Sequence, residues 1–151
     1  MLFLILLKQI SSFKVRVRQG PNNELTLGVL YAQKGPVPRL FDTTKITPKT
    51  FIDTFDVDGC RTRFKTKEGY LCGKLIKSSI TLCEHLTFNS KLAFLKEENG
   101  SFKIATRRGL CLTKGKADKW NGGYYVELNL CTGGPDQLFS VDKIEVRPCA
   151  N

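Results

Sequence analysis

The sequence predicts an all-β domain built from three pseudo-symmetric repeats of about four strands each. Short apolar runs alternate along the chain with Gly, Asn, Asp, Lys and Pro, a pattern typical of strands joined by turns. Three aromatic residues that close similar stretches lie 39 and 45 residues apart, namely Phe55, Phe94 and Phe139. Since one repeat of this length cannot bury its apolar face alone, we expect all three to share one barrel and cap.

The repeats are predicted to cover about residues 13–58, 59–98 and 99–145. Each opens with Phe-Lys, at Phe13, Phe64 and Phe102, and continues through apolar runs that read as strands. The most helix-like window, residues 89–98, has no sustained apolar face, and Asn-Gly at 99–100 then signals a hairpin turn. We therefore expect strands throughout. With 151 residues, the chain is long enough for a single domain with a real core.

The third repeat carries the most informative motif of the chain. It contains Gly-Leu-Cys-Leu-Thr at 109–113, Val-Glu-Leu-Asn-Leu-Cys at 126–131 and Gln-Leu-Phe at 137–139. This combination resembles one subdomain of the ricin B-type lectins, whose closing motif is Gln-x-Trp, with Phe139 in place of the tryptophan. The resemblance covers residues 102–144 and weakens toward the N-terminus. It implies a β-trefoil over residues 13–151; an unrelated all-β domain is the alternative.

Six cysteines in a chain of this length indicate an oxidising compartment. The resemblance implies one disulfide within the second repeat and one within the third, while the two remaining cysteines, if paired, would join the C-terminus to the second repeat. The predicted pairs are Cys72–Cys83, Cys111–Cys131 and Cys60–Cys149. Buried free thiols are the alternative. A zinc site is not expected, because Cys-x-x-Cys is absent and His85 is the only histidine.

Residues 1–12 are predicted to be a signal peptide, with a first barrel strand as the alternative. Seven apolar residues open the chain, and Lys8 and then Ser11-Ser12 follow them. The apolar run is too short to cross a bilayer, so no membrane span is expected. Asn99-Gly100-Ser101 is a sequon that predicts glycosylation of Asn99. These features and the cysteines together predict a secreted, extracellular protein.

The chain is basic, with 24 Lys and Arg against 14 Asp and Glu and a net charge of +10. In two predicted strands basic residues alternate with apolar or hydroxyl residues, which places every basic side chain on one face. These candidate anion-binding residues are Lys14, Arg16, Arg18, Arg61, Arg63, Lys65 and Lys67. A third basic group comprises Arg107, Arg108, Lys114, Lys116 and Lys119.

This basic surface is interpreted as a site for sulfated or other anionic glycans, or as a solvated face that protects edge strands from aggregation. A nucleic-acid partner is not expected. The sequence has no RNP-like aromatic strand, no Gly-x-x-Gly clamp and no basic helix.

The resemblance implies a sugar pocket only where three positions hold suitable residues. These are a carboxylate two residues after the first cysteine, an aromatic residue two before the second, and an Asn before the closing Gln. The third repeat has Thr113, Asn129 and Asp136 there and keeps only Gln137. The second repeat has Lys74, Thr81 and Lys91. We therefore expect the galactose-type pocket of the family to be absent from both repeats.

The long insert of the third repeat is the candidate ligand site. A tryptophan and two tyrosines beside lysines could stack on a sugar or anchor a protein partner. The candidate residues are Trp120, Asn121, Tyr124, Tyr125, Lys116 and Lys119, together with Gln137. In the alternative interpretation, Trp120 and one tyrosine cap the barrel while Asn121-Gly122-Gly123 turns the chain.

No catalytic site, cofactor or metal site is expected. Cys83 and His85 do not suggest a nucleophile with its base, since the thiol is assigned to a disulfide, and a single histidine excludes most histidine-dependent mechanisms. Asp53, Asp56 and Asp58 form an acidic patch for which a turn role is expected. The chain also lacks a glycine-rich phosphate loop.

These observations predict a secreted, non-catalytic binding module for glycans or an anionic surface, acting in adhesion or host interaction. One alternative is a structural or protein-interaction component without sugar binding, for example of a parasite surface or invasion structure. The second alternative is a Kunitz-type trefoil protease inhibitor. It would present Arg39 from an exposed loop over residues 35–40 to a trypsin-like protease.

Overall fold

The fold is taken from a computed structural model, which describes residues 13–45, 51–57, 61–73, 76–84 and 91–142. Within these ranges the regular structure consists of 14 strands and two short 3-10 turns, at Thr43–Lys45 and Pro135–Gln137. The predicted all-β class is therefore confirmed. The described residues contain no helix that is long and apolar enough to cross a membrane.

The strands are numbered in chain order and grouped by the predicted repeat boundaries. The first repeat holds β1 (Phe13–Gln19), β2 (Leu25–Ala32), β3 (Gly35–Asp42), β4 (Phe51–Ile52) and β5 (Phe55–Val57). The second holds β6 (Arg61–Arg63), β7 (Lys65–Thr66), β8 (Gly69–Cys72), β9 (Thr81–Cys83) and β10 (Lys91–Lys96). The third holds β11 (Phe102–Thr106), β12 (Leu110–Ala117), β13 (Tyr124–Leu130) and β14 (Phe139–Asp142).

Seven of the described strands pair into a closed antiparallel ring. β1 pairs with β14 on one side and with β5 on the other, and β5 pairs with β7. Only Phe64 separates β7 from β6, which pairs with β10. β10 then pairs with β11, and β11 pairs with β14, so the ring closes. Closure leaves these strands without an unpaired edge.

Three hairpins of the described chain complete the architecture: β2–β3, β8–β9 and β12–β13. The hairpins also contact one another. β13 pairs with β3 at Tyr124 and Leu40. An isolated bridge joins Ser79, which precedes β9, to Glu127 of β13. The junction between the first and third hairpins is where the candidate site lies.

Phenylalanine rings fill the interior of the ring. Phe55, Phe64, Phe94 and Phe139 are each at most 1% exposed. The centroids of the first two rings lie 5.5 Å apart, and those of Phe64 and Phe94 lie 5.4 Å apart. Burying a side chain of this size stabilises the folded state by about 1.5–3 kcal/mol. The three aromatic residues that mark the repeats in the sequence therefore belong to the core.

Two disulfides each link the strands of one hairpin. Cys72 of β8 is bonded to Cys83 of β9 with a Cα–Cα distance of 6.0 Å. Cys111 of β12 is bonded to Cys131, which directly follows β13, with a Cα–Cα distance of 5.1 Å. These are the two pairs implied by the resemblance. The predicted pair Cys60–Cys149, residues 1–12, Lys74, Asp58 and His85 lie outside the described residues.

Candidate functional site

The segment from Asp118 to Gly123, which we call the Trp120 loop, joins β12 to β13 in a fixed conformation. The N–H of Asp118 donates to the carbonyl of Gly123 at 2.8 Å, and the N–H of Gly122 donates to the carbonyl of Asp118 at 2.9 Å. Gly123 has a φ of +72°, and a Cβ there would lie 2.5 Å from the carbonyl oxygen of Leu40. Glycine is thus required where the loop meets β3.

The carboxylate of Asp118 supports this loop from inside. Its Oδ1 accepts the N–H groups of Trp120 and Asn121 at 3.0 and 3.1 Å. Its Oδ2 accepts Nδ2 of Asn121 at 3.1 Å and Nε of Arg39 at 2.9 Å. Burial alone would raise the pKa of Asp118, but the Arg39 guanidinium and the hydrogen bonds from Asn121 and Trp120 outweigh it and lower the pKa to about 2. The carboxylate is therefore ionised at neutral pH.

Arg39 lies within the fold and not on an exposed loop. It is 7% exposed in β3, and its Nη1 donates to the carbonyl of Pro38 at 2.7 Å. Its guanidinium carbon lies 4.1 Å from the centroid of the Tyr125 ring. Residues 35–40 all pair with β2, so they form a strand. The prediction that Arg39 is presented to a protease is therefore wrong.

Trp120 stands at the tip of the supported loop with 93% of its surface exposed. The alternative in which it caps the barrel is therefore also wrong. A large aromatic side chain held in solvent by a rigid loop is a feature typical of ligand contacts. Lys116 and Lys119, the lysines predicted to accompany it, are exposed as well. Tyr125 does not stand beside Trp120 and the lysines at the exposed loop, because its ring stacks on the buried Arg39.

A groove of about 710 Å³ lies beside this loop, between the hairpins β2–β3 and β12–β13. Asn121, Gly122 and Gly123 form part of its wall, and Tyr124 lines it from β13. The groove also has charged side chains from both hairpins and their flanks. These are Glu24, Asp42, Lys45 and Lys114, together with the buried Asp118.

The charges around the groove largely compensate one another. Lys45 lies 3.9 Å from Asp42, and Lys114 lies 3.9 Å from Asp136. The Lys114 ammonium also sits 4.7 Å from the centroid of the Tyr124 ring. The hydroxyl and the backbone N–H of Thr44 donate to Asp42 and lower the pKa of that carboxyl. The groove therefore offers carboxylate oxygens as acceptors without a large net charge.

Gln137 is a structural residue in this fold. It is 3% exposed, and its Oε1 accepts the N–H groups of Thr132 and Gly133 at 2.7 and 3.2 Å. Its Nε2 donates to the carbonyl of Leu130 at 2.8 Å and to the hydroxyl of Thr113 at 3.1 Å. These bonds occupy the amide, so we do not include Gln137 in the proposed site.

The positions that form the sugar pocket in ricin B-type lectins make contacts within this chain. Besides accepting from Gln137, the Thr113 hydroxyl donates to the carbonyl of Cys111 at 3.0 Å. Nδ2 of Asn129 contacts Oε2 of Glu127 at 3.5 Å. No aromatic residue stands at these positions, so the third repeat does not present the galactose-type arrangement there.

The basic residues of β1 all face outward, as the alternation predicts, since Val15 and Val17 are at most 1% exposed. Each of them lies near a carboxylate. The pairs are Lys14–Asp56, Arg16–Asp53 and Arg18–Asp142, with N–O distances of 3.9, 3.0 and 3.0 Å. The aspartates at 53 and 56 thus act as partners of β1 and not simply as turn residues, and the β1 face is largely neutralised.

The basic residues of β6 and β7 differ from those of β1 in their salt-bridge partners. The outward residues Arg61, Arg63 and Lys65 alternate with an inward set that includes Thr62 and Phe64. Lys67 follows in the turn after β7. Within the described ranges, no carboxylate forms a salt bridge with any of these four basic residues.

The structure places one further basic residue beside this strand, and the sequence pattern did not assign that residue to the surface. Lys91 of β10 lies directly opposite Arg63 of β6. In the sequence Lys91 marks only a lost sugar position, because the pairing of β6 with β10 is not visible in local alternation. The glycosylation candidate, Asn99, lies exposed in the turn between β10 and β11, where its side chain accepts from the N–H of Ser101.

Comparisons with solved structures show that this fold is similar to that of toxin chains and of a lectin. No family model matches the sequence, and no curated protein matches it. The Haemophilus ducreyi cytolethal distending toxin aligns over 91% of this chain and 87% of its own, with a TM-score of 0.66 and 15% identity. A mosquitocidal holotoxin aligns over 93% of this chain and 17% of its own, with a TM-score of 0.68 and 9% identity.

The Polyporus squamosus lectin, solved with the human-type influenza-binding epitope Neu5Acα2-6Galβ1-4GlcNAc, aligns over 88% of this chain. The alignment covers 49% of the lectin chain, with a TM-score of 0.66 and 12% identity. At these identities the likeness concerns the fold. The chain therefore shares an all-β fold with toxin chains and a lectin, which supports the ricin-B-like fold that its third repeat implies.

Proposed function

We propose that this chain is a secreted, non-catalytic module with the β-trefoil fold of the ricin B-type lectins, and that it binds a glycan beside Trp120. The closed strand ring and the three hairpins support the trefoil assignment. The fold shared with a glycan-bound lectin supports a binding role. The two disulfides are compatible with an extracellular location.

The observation that carries this proposal is the 93% exposure of Trp120 on a loop held by a buried ion pair. An indole face can stack on the apolar face of a sugar ring, and Tyr124 lines the adjacent groove. Because Asp118 and Arg39 fix the loop before any ligand arrives, binding does not need to order it. A preorganised platform lowers the entropic cost of association.

The charges of the groove favour a neutral sugar over an acidic one. Carboxylate oxygens of Asp42 and Glu24 can accept hydrogen bonds from sugar hydroxyls, and charge-assisted bonds of this kind are strong. Both groove lysines already have a carboxylate within 3.9 Å. A bound carboxylate or sulfate would compete with those partners, whereas a hydroxylated neutral ring would not.

Trp120 is the only tryptophan of the chain, so its fluorescence reports this site alone. We expect the emission of a solvent-exposed indole, and a blue shift when a bound sugar covers the ring. An array of neutral, sialylated and sulfated glycans should identify the ligand, and titration of the best neutral hit should reproduce the shift.

Variants then separate the proposed site from the rest of the surface. Trp120→Ala should remove detectable binding, whereas Trp120→Phe should retain part of it because a flat ring remains. Leu130→Ala is a matched control, since Leu130 is 64% exposed at the other end of β13. Full binding by Trp120→Ala would contradict the proposal. Indifference to every glycan with co-purification of one protein would favour the protein-interaction alternative.

A further inference from the structure

We propose that three basic residues on the outer face of the strand ring, Arg63, Lys91 and Arg107, form a second site that binds a sulfated polysaccharide. We call this set the basic row. It lies on β6, on β10 and at the end of β11, whereas the Trp120 groove lies between hairpins β2–β3 and β12–β13. The inference goes beyond the proposed glycan site and is independent of it.

Strand pairing aligns the members of the basic row. Arg63 and Lys91 are directly opposite each other in an antiparallel pair, and both face outward because Leu92 is buried. On the other side of β10, Leu92 pairs with Thr106 of β11. Arg107 follows Thr106 directly and is exposed, so it extends the row at the end of that strand.

Such an arrangement is unfavourable for the isolated fold. Side chains directly opposite on neighbouring antiparallel strands have Cβ atoms about 4.5–5.5 Å apart, and like charges at that distance destabilise the sheet. On β1 every basic residue has a carboxylate nearby. Lys65 of β7 lies opposite Asp56. In the basic row, no member has a carboxylate partner within the described chain.

A bound polyanion accounts for the absence of carboxylate partners in the basic row, because it supplies the missing counter-charge and is attracted by the local positive field. Neighbouring strands lie about 4.8 Å apart, so the row presents three cations along a line of about 10 Å. That spacing fits a linear polymer with closely spaced anionic groups. Arginine guanidinium groups also match tetrahedral oxyanions such as sulfate through paired N–H donors.

The neighbouring positions on the face favour a polysaccharide over a nucleic acid. Ala93 lies opposite Arg61 and also pairs with Ala105, and both alanines are buried, so they add no aromatic surface next to the row. Proteins that bind single-stranded nucleic acids generally add aromatic side chains on which bases stack. Among the described residues of β6, β10 and β11, no aromatic side chain is exposed beside the row.

Heparin is the probe for this site, and neutral substitutions of the row are the test. With the full chain at fixed salt, Arg63→Gln, Lys91→Gln and Arg107→Gln should each weaken heparin binding about twofold to fivefold, the range of an exposed ion pair. The triple variant should lose at least about tenfold. The dependence of log affinity on log salt should flatten by about one unit per removed cation.

Lys14→Gln is the matched control, because it removes one positive charge from the exposed but compensated β1 face. It should leave heparin affinity unchanged. Lys91→Gln should bind more weakly while its midpoint of thermal unfolding stays equal or rises, since a like-charge contact is removed. Loss of binding can then not be assigned to unfolding.

The proposal is overturned if the triple variant keeps its affinity for heparin, or if Lys14→Gln loses as much as Lys91→Gln. Duplex DNA that binds as tightly as heparin at the same salt would also overturn it, because the row would then recognise any polyanion. Trp120→Ala should retain heparin binding while losing the neutral glycan. A negative binding result at one site therefore does not affect the test of the other site.

Discussion

Replacing Asp118 by Asn tests whether the buried ion pair with Arg39 holds the Trp120 loop in place. Asn has the same shape, and its amide oxygen can still accept the N–H groups of Trp120 and Asn121. The guanidinium of Arg39, which is 7% exposed, would lose the carboxylate at 2.9 Å. Removing one partner of a buried ion pair typically costs about 3–5 kcal/mol, because the remaining charge stays buried without compensation.

The pKa of Asp118 gives a second measure of the same interaction. It is about 2, against an ordinary value of 3.8. Each pKa unit corresponds to about 1.4 kcal/mol, so the ionised carboxylate stabilises the fold by about 2–3 kcal/mol. Because the folded pKa is depressed, this contribution is complete above the unfolded pKa and is lost as the pH falls from about 4 to about 2. For Asp118→Asn we expect a loss of about 2–4 kcal/mol at pH 7.

Urea unfolding followed by circular dichroism measures this loss, at pH 7 and in steps between pH 5 and pH 2. Asp53→Asn is the control, because Asp53 forms a more exposed pair with Arg16 and should cost no more than about 1 kcal/mol. The anisotropy of Trp120 fluorescence should fall in Asp118→Asn, since the loop loses its support. Equal free energies for the two variants, with unchanged anisotropy and unchanged pH dependence, would refute this role for Asp118.

Three further changes test the packing around the site and the core. Gly123→Ala should lower the free energy of unfolding by at least about 1 kcal/mol more than Gly122→Ala. Both glycines have positive φ, but only at Gly123 would a Cβ lie 2.5 Å from the Leu40 carbonyl. Equal urea midpoints for the two variants would contradict this close approach. Gln137→Ala should cost about 2 kcal/mol in urea unfolding, because buried partners lose their bonds, and a loss under 0.5 kcal/mol, roughly that of a surface substitution, would argue against its structural role. Phe94→Ala should lower the free energy of unfolding by about 3–5 kcal/mol and lower the thermal midpoint. A smaller loss would mean that the core inside the strand ring tolerates a cavity.

The strand character of the chain and the two faces of its strands could be predicted because both depend on residues close in sequence. On β1, alternation correctly assigns Val15 and Val17 to the interior and Arg16 and Arg18 to the exterior. The same rule works for β6 and β7, on either side of Phe64. Side chains of a strand alternate with a period of two, so no information from distant segments is needed.

The sequence predicts a loop at residues 35–40 because this segment contains two prolines, but strand pairing in the structure accommodates both. Pro36 and Pro38 lack N–H donors, which argues against a strand. In the structure they pair with Tyr31 and Val29 of β2. Residues two apart in an antiparallel pair have the same hydrogen-bonding type, so both missing donors fall on one side of the strand. β3 can then form, and it carries Arg39 into the interior.

The candidate site was predictable in part. Aromatic and lysine composition pointed to the Trp120 loop, and an Asp before such a turn is a local signal for hydrogen bonds to the following N–H groups. Asp118 could have been recognised in that way. Its partner Arg39 could not, since the two residues are separated by 79 positions and no local pattern relates them.

The sequence by itself determined the all-β class, the inward and outward faces of the strands, and the replacement of the ricin B-type sugar-binding residues by Thr113 and Asn129. Only the tertiary structure decided which basic residues are compensated. Arg16 meets a carboxylate, whereas Arg63 meets Lys91, because strand register sets the opposite residue and joins segments far apart in the chain. Charge alternation creates a basic face, but the neighbouring strand decides whether that face is free to attract an anion.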